Sequence, residues 1–144
     1  MSNIFWALLS VIALLGSTQI FATESDHSHK HKHKHDQIEI SSHSEKPAVS
    51  LEVARDAVGG WNIYLKVKNF RFAPENVNGS PVPGEGHAHL YVDGEKVARL
   101  YGPWFHLGSL SSGRHTISVT LNANNHASLV LNGTPVEASA EIVQ

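Results

Sequence analysis

Histidine is the residue type with the most chemistry to offer here: the chain holds 11, as many as its lysines and arginines together. The histidines fall into two sets. His27, His29, His31, His33 and His35 alternate with Ser or Lys, so an extended backbone would project all five imidazoles to one side. Neighbours in such a row could share a Cu²⁺, Ni²⁺ or Zn²⁺ ion. Three interleaved lysines oppose a divalent cation, and ordering a polar tract costs entropy, so the expected capture is modest. The plain alternative is a solvated polar linker.

His87 and His89 are more informative. They alternate with Ala88 and Leu90 in a segment that reads as a strand, which puts both imidazoles on the face opposite the core, in line with Tyr91 and Asp93. Two histidines one pleat apart can ligate one ion, or can be two polar residues on a wet face. His106, beside Trp104, and His126, after Asn124-Asn125, fall near turns or strand ends and are the candidates to complete a copper or zinc site with them. His115 leads the row Ile117, Val119, Leu121 and reads as a structural histidine, hydrogen-bonded at a strand entry.

The elements that must position these residues are β-strands. Val49, Leu51 and Val53 alternate with polar residues, Gly59-Gly60 marks a turn, and Trp61, Ile63, Leu65 and Val67 alternate again. Residues 73–86 hold three Pro and three Gly and read as a long loop of the kind that carries function. A strand from His87, the tight turn Asp93-Gly94 and a returning strand to Tyr101 follow. Trp104–Leu107 is short and apolar, and strands are expected at 115–121, 127–131 and 136–143. Seven or eight short strands without helical period predict an all-β fold, an immunoglobulin-like antiparallel sandwich, with a cupin-like small barrel as the alternative.

Ahead of that domain, residues 4–16 form an apolar core followed by small and polar residues, as in a signal peptide cut after Ala22. That core is about 13 residues, below the roughly 20 a spanning helix needs. No Lys or Arg precedes it, which leaves an uncleaved anchor as the minor alternative. The expected organisation is a signal peptide over 1–22, a flexible His-rich arm over 23–46 and a β-sandwich over 47–144. The protein is then periplasmic or secreted, with no membrane association after cleavage. It holds no cysteine, so it has no disulfide and no thiolate ligand, and any metal must rest on imidazole, carboxylate or backbone. Only 17% of residues are charged and the net charge is −2, too dilute and of the wrong sign for nucleic acid.

Three segments, Gly84-Glu85-Gly86-His87-Ala88-His89-Leu90-Tyr91-Val92-Asp93-Gly94, Gly113-Arg114-His115-Thr116 and Asn122-Ala123-Asn124-Asn125-His126, resemble a class of small exported bacterial all-β domains of poorly known activity. Those domains carry a Gly-x-Gly-His-x-His-Leu strand, a Gly-x-His-Thr strand entry and a late Asn-x-His. The resemblance covers about the last 100 residues and implies periplasmic metal handling, with copper favoured. Cupins also use His-x-His, but Glu95 lies one residue too far from His89 and no Gly stands in the required place before His87. Copper–zinc superoxide dismutases need a zinc loop and a disulfide that are absent.

Nothing in the sequence builds an enzyme. There is no Gly-x-Ser-x-Gly elbow, no phosphate-binding glycine loop and no Glu-flanked helical zinc motif. The expected function is copper or zinc buffering, delivery or resistance, with a metal ion and a metal-transport or metal-accepting protein as partners. A non-metal interaction module presenting Tyr64, Tyr101, Trp104 and Phe105 is the second reading, and a cupin-like metalloenzyme the third.

Overall fold

The structure, a computed structural model, describes residues 36–144. The expected signal peptide and His27, His29, His31, His33 and His35 lie outside the described residues.

The described chain runs through β1 (Gln37–Glu39), β2 (Ala48–Arg55), β3 (Trp61–Lys68), β4 (Arg71–Phe72), a single 3₁₀ turn (Pro74–Asn76), β5 (Glu85–Val92), β6 (Glu95–Leu100), β7 (Trp104–Leu107), β8 (Arg114–Asn122), β9 (Ser128–Leu131), β10 (Thr134–Pro135) and β11 (Glu137–Val143). The fold is all-β and sandwich-like, built from two sheets. In the smaller sheet β2 and β3 form the hairpin expected from their alternation, in register from Ala48↔Lys68 to Arg55↔Trp61, and β7 joins β3 on its other side. In the larger sheet β5 lies between β6 and β8, antiparallel to both. β8 then pairs with β11 along most of its length and with β9 at Asn122.

Alternation explains where the core lies. Trp61, Ile63 and Leu65 from β3 point toward Ala88 and Leu90 from β5 and Ile117, Val119 and Leu121 from β8, and all are buried in one cluster between the sheets. Opposite faces of β5 and β8 are left to His87, His89 and Tyr91 and to Ser118, Thr120 and Asn122, which stand side by side through the pairs His87↔Asn122, His89↔Thr120 and Tyr91↔Ser118.

The domain takes in chain that was expected to belong to the flexible arm. Gln37–Glu39 pairs in parallel with Ser128–Val130 of β9, and Ile40, fully buried, enters the core. Glu39 fastens this strand to the Asn132-Gly133 turn: its carboxylate accepts from Asn132 N at 3.0 Å and Gly133 N at 2.9 Å, and also from the Ser41 hydroxyl. Those hydrogen bonds, the Ser41 hydroxyl foremost and Gly133 N–H next, hold its pKa down at about 2. No helix among the described residues is long and apolar enough to cross a membrane.

Candidate metal centre

His87 and His89 occupy the face of β5 that alternation assigns them, opposite the core cluster, and each is only 1% exposed, which sets aside the alternative of two polar residues on a wet face. Part of the cover is the Tyr101 ring, 5.6 Å from the His87 ring centroid to centroid, and part is the turn that carries His126. After β8 ends, the chain turns through Ala123–His126, closed by His126 N–H donating to Ala123 O at 2.9 Å. His126 itself adopts a left-handed φ of 69°, an uncommon conformation for a residue with a side chain. The turn carries its ring over the pair: His126 Nδ1 lies 3.1 Å from His87 Nε2, which lies 3.0 Å from His89 Nε2. One candidate donor atom from each of the three residues lies within 4.8 Å of the other two.

Gly86 makes this approach possible. A Cβ at that position would lie 1.9 Å from Asn122 O and 3.0 Å from Asn122 C, so only glycine lets the start of β5 press against the end of β8, where the His126 turn begins. Asn122, completely buried opposite His87, holds the turn from below: its amide donates to His126 O and to Ser128 Oγ, both at 3.3 Å, and its Oδ1 accepts from Thr120 Oγ1 at 2.9 Å.

Asn78, from the long loop, holds it from the outside. His126 Nε2–H donates to Asn78 Oδ1 at 2.6 Å. Asn78 N–H in turn donates to Asn124 O at 2.9 Å, which ties the loop to the turn. An imidazole whose Nε2 carries the proton keeps its lone pair on Nδ1, the atom facing His87, so Asn78 fixes both the tautomer and the ring angle of His126.

The electrostatics favour a neutral ring at His87. Burial foremost, then the neighbouring His126 and the cations Arg99 and Lys96, lowers the His87 pKa to about 4. At neutral pH His87 is therefore an uncharged imidazole, the form that ligates. Three ring nitrogens that meet at 3.0–3.1 Å, His87 Nε2 with His89 Nε2 and with His126 Nδ1, can turn lone pairs toward one cation.

Comparison with known protein families, with curated proteins and with solved structures found no match.

Of the four domain histidines expected to converge, three do. His106 does not: β7 belongs to the smaller sheet, where His106 stands opposite Asn62 with its Nδ1 3.4 Å from Asn62 Oδ1. His115 has a different environment again. Its Nδ1 lies 2.7 Å from Asp93 Oδ2 and its Nε2 2.9 Å from Ser111 O, and since both partners can only accept, both ring nitrogens carry protons. Asp93 first and the Ser111 carbonyl second raise its pKa, and a ring that donates from both nitrogens has no lone pair to offer a metal. Asn78 and Asn122, which fix His126, were not singled out from the sequence for that role. The signals available were the Pro- and Gly-rich loop around Asn78 and the unusual Asn run that precedes His126.

Proposed function

We propose that this protein is an exported binder of a transition-metal ion, copper or zinc, that buffers the ion or passes it to a metal-transport or metal-accepting protein. The observation that carries the reading is the meeting of three imidazoles from separate segments, His87 and His89 from β5 and His126 from the β8–β9 turn, at 3.0–3.1 Å. All-imidazole donors suit divalent copper and zinc, and the absence of cysteine argues against a soft, thiolate-loving ion. His27, His29, His31, His33 and His35 would gather ions and raise their concentration near the folded site. The export and periplasmic location rest on the apolar N-terminal segment and on the resemblance of the His-x-His strand to small exported domains. The sequence carries no nucleophile elbow and no phosphate-binding glycine loop, and the site is read as a binder.

The test is a calorimetric titration of the full-length chain with the five arm histidines changed to Asn, using Cu²⁺ and Zn²⁺. One equivalent should bind, and replacing His87 and His89 with Ala in the same background should abolish it while the β-sheet circular dichroism is retained. A chain that takes up neither ion would end this reading. One observation favours a non-metal interaction module instead: Trp104, 67% exposed, stacks on Tyr64 with ring centroids 4.2 Å apart. That module would remain if metal binding failed.

A further inference from the structure

Three imidazoles around one ion can form a pyramid, with equal separations, or a T, with one donor at the stem and two across from each other. The ring positions distinguish these. His87 lies 4.9 Å from His89 and 4.8 Å from His126, centroid to centroid, whereas His89 and His126 are 6.2 Å apart with planes only 21° from parallel. An ion about 2.0–2.1 Å from each ligating nitrogen lies about 3.2 Å from each ring centroid. A tetrahedral set would then space all three centroids about 5.2 Å apart, while a planar T would give two spacings of about 4.5 Å and one of about 6.4 Å. The observed spacings correspond to angles at the ion of about 100°, 100° and 150°, which nearly complete a plane. The two close nitrogen pairs, at 3.0 and 3.1 Å, are near what right angles require.

The fold accounts for this arrangement. His87 and His89 sit one pleat apart on the same face of β5, so their rings are neighbours by construction. The His87↔Asn122 pairing brings the end of β8 beside His87, and the turn that follows delivers His126 close against His87, at 4.8 Å, and farther from His89, at 6.2 Å. His87 is therefore the central ring of the three.

Resting on the metal-centre reading above, we infer that His87 is the stem and His89 and His126 are the arms of a T-shaped donor set that selects an ion of tetragonal preference. That ion is divalent copper, which leads nickel in affinity for such donors, and not zinc, which gains nothing from a planar set. The fourth corner of the square, opposite His87, is left to an exchangeable ligand such as water.

The experiment uses the full-length chain with the five arm histidines changed to Asn. It is loaded with one equivalent of Cu²⁺ for electron paramagnetic resonance and, separately, of Co²⁺ for visible spectroscopy. The expected copper spectrum is axial, with a large parallel hyperfine splitting and couplings to three nitrogens. His126→Asn, a replacement that tolerates the left-handed backbone of that turn, should remove one of the three couplings. Co²⁺ should give only the weak bands of a five- or six-coordinate ion. Intense tetrahedral Co²⁺ bands, or a collapsed copper hyperfine splitting, would overturn the T and leave the metal centre standing. Neither ion binding above the level of a His87→Ala chain would overturn both.

Discussion

At the scale of single residues, the same side-chain type has been put to opposite uses by its neighbours. His115 faces two acceptors and is charged, whereas His87 faces two other imidazoles in a buried site and is neutral. The charged state of His115 gives its stability a definite pH dependence. A histidine whose folded pKa is raised stabilises the native state fully below its unfolded pKa of about 6.5, and loses that contribution as pH rises through the folded value. Its partner Asp93, whose pKa is lowered by Thr116 N–H first and His115 second, contributes above its unfolded pKa of about 3.8 and loses this as pH falls through the folded value. The pair is thus most effective between these limits. His115→Asn should lower the chemical-denaturation midpoint clearly at pH 5.5 and much less at pH 9, and equal losses at both would show that the ion pair is not what His115 supplies. Asn78 acts on the His126 ring of the proposed centre rather than on the core. Asn78→Gly removes the acceptor that sets the His126 tautomer while suiting the left-handed φ of 65° at this position, and should weaken metal binding by about 10–100-fold in calorimetry, leaving the melting temperature of the metal-free protein nearly unchanged.

At the scale of elements, the site is a strand and a turn pressed together at Gly86. Gly86→Ala would drive a methyl group into the Asn122 carbonyl, backbone against backbone, with no flexible side chain to yield. The expected cost is about 1–3 kcal/mol of stability by denaturant titration, together with weakened metal binding as the His126 turn is pushed off His87. Much of the element layout was legible in the sequence, since period-2 alternation marks β2, β3, β5 and β8 and the Asp93-Gly94 turn marks the β5–β6 hairpin. Alternation assigns a residue to a face but never says which sheet a strand joins. Alternation alone therefore groups His106 with His87, although β7 pairs with β3. It also says nothing of what lies over a face, so the burial of His87 and His89 beside Tyr101 and the His126 turn cannot be read from it. β1 was missed for another reason. It offers only Ile38 and the following Ile40 among polar residues, and its partner β9 is some ninety residues away in parallel pairing, which leaves no local turn signal. Ile40→Ala tests whether that strand belongs to the domain: full burial of Ile40 implies a loss of about 2–5 kcal/mol, whereas a residue in a loose arm would cost almost nothing.

At the scale of the whole molecule, no disulfide closes the fold, and stability rests on one apolar cluster between two sheets. A metal at the proposed centre would join β5 to the β8–β9 turn, and through Asn78 to the long loop, three segments otherwise linked at this end by a few hydrogen bonds. Such an ion binds the folded state and stabilises it by mass action, by about 2.7 kcal/mol at a hundredfold excess over Kd. For a domain of this size that corresponds to a rise in melting temperature on the order of 10 °C. The arm histidines should behave differently. By composition, a polar tract with no apolar residues is expected to offer metal the same imidazoles whether or not the β domain is folded, and an ion held equally by both states shifts no equilibrium. Differential scanning calorimetry with and without Cu²⁺ can therefore separate the two sets of histidines in one protein. Changing all five arm histidines to Asn should lower the amount of copper bound and leave the copper-induced rise in melting temperature intact. Changing His87 and His89 to Ala should do the reverse, leaving copper on the chain and removing the rise. If instead the rise followed the arm and ignored His87 and His89, the three converging imidazoles would be a structural cluster, and metal capture would belong to the arm alone.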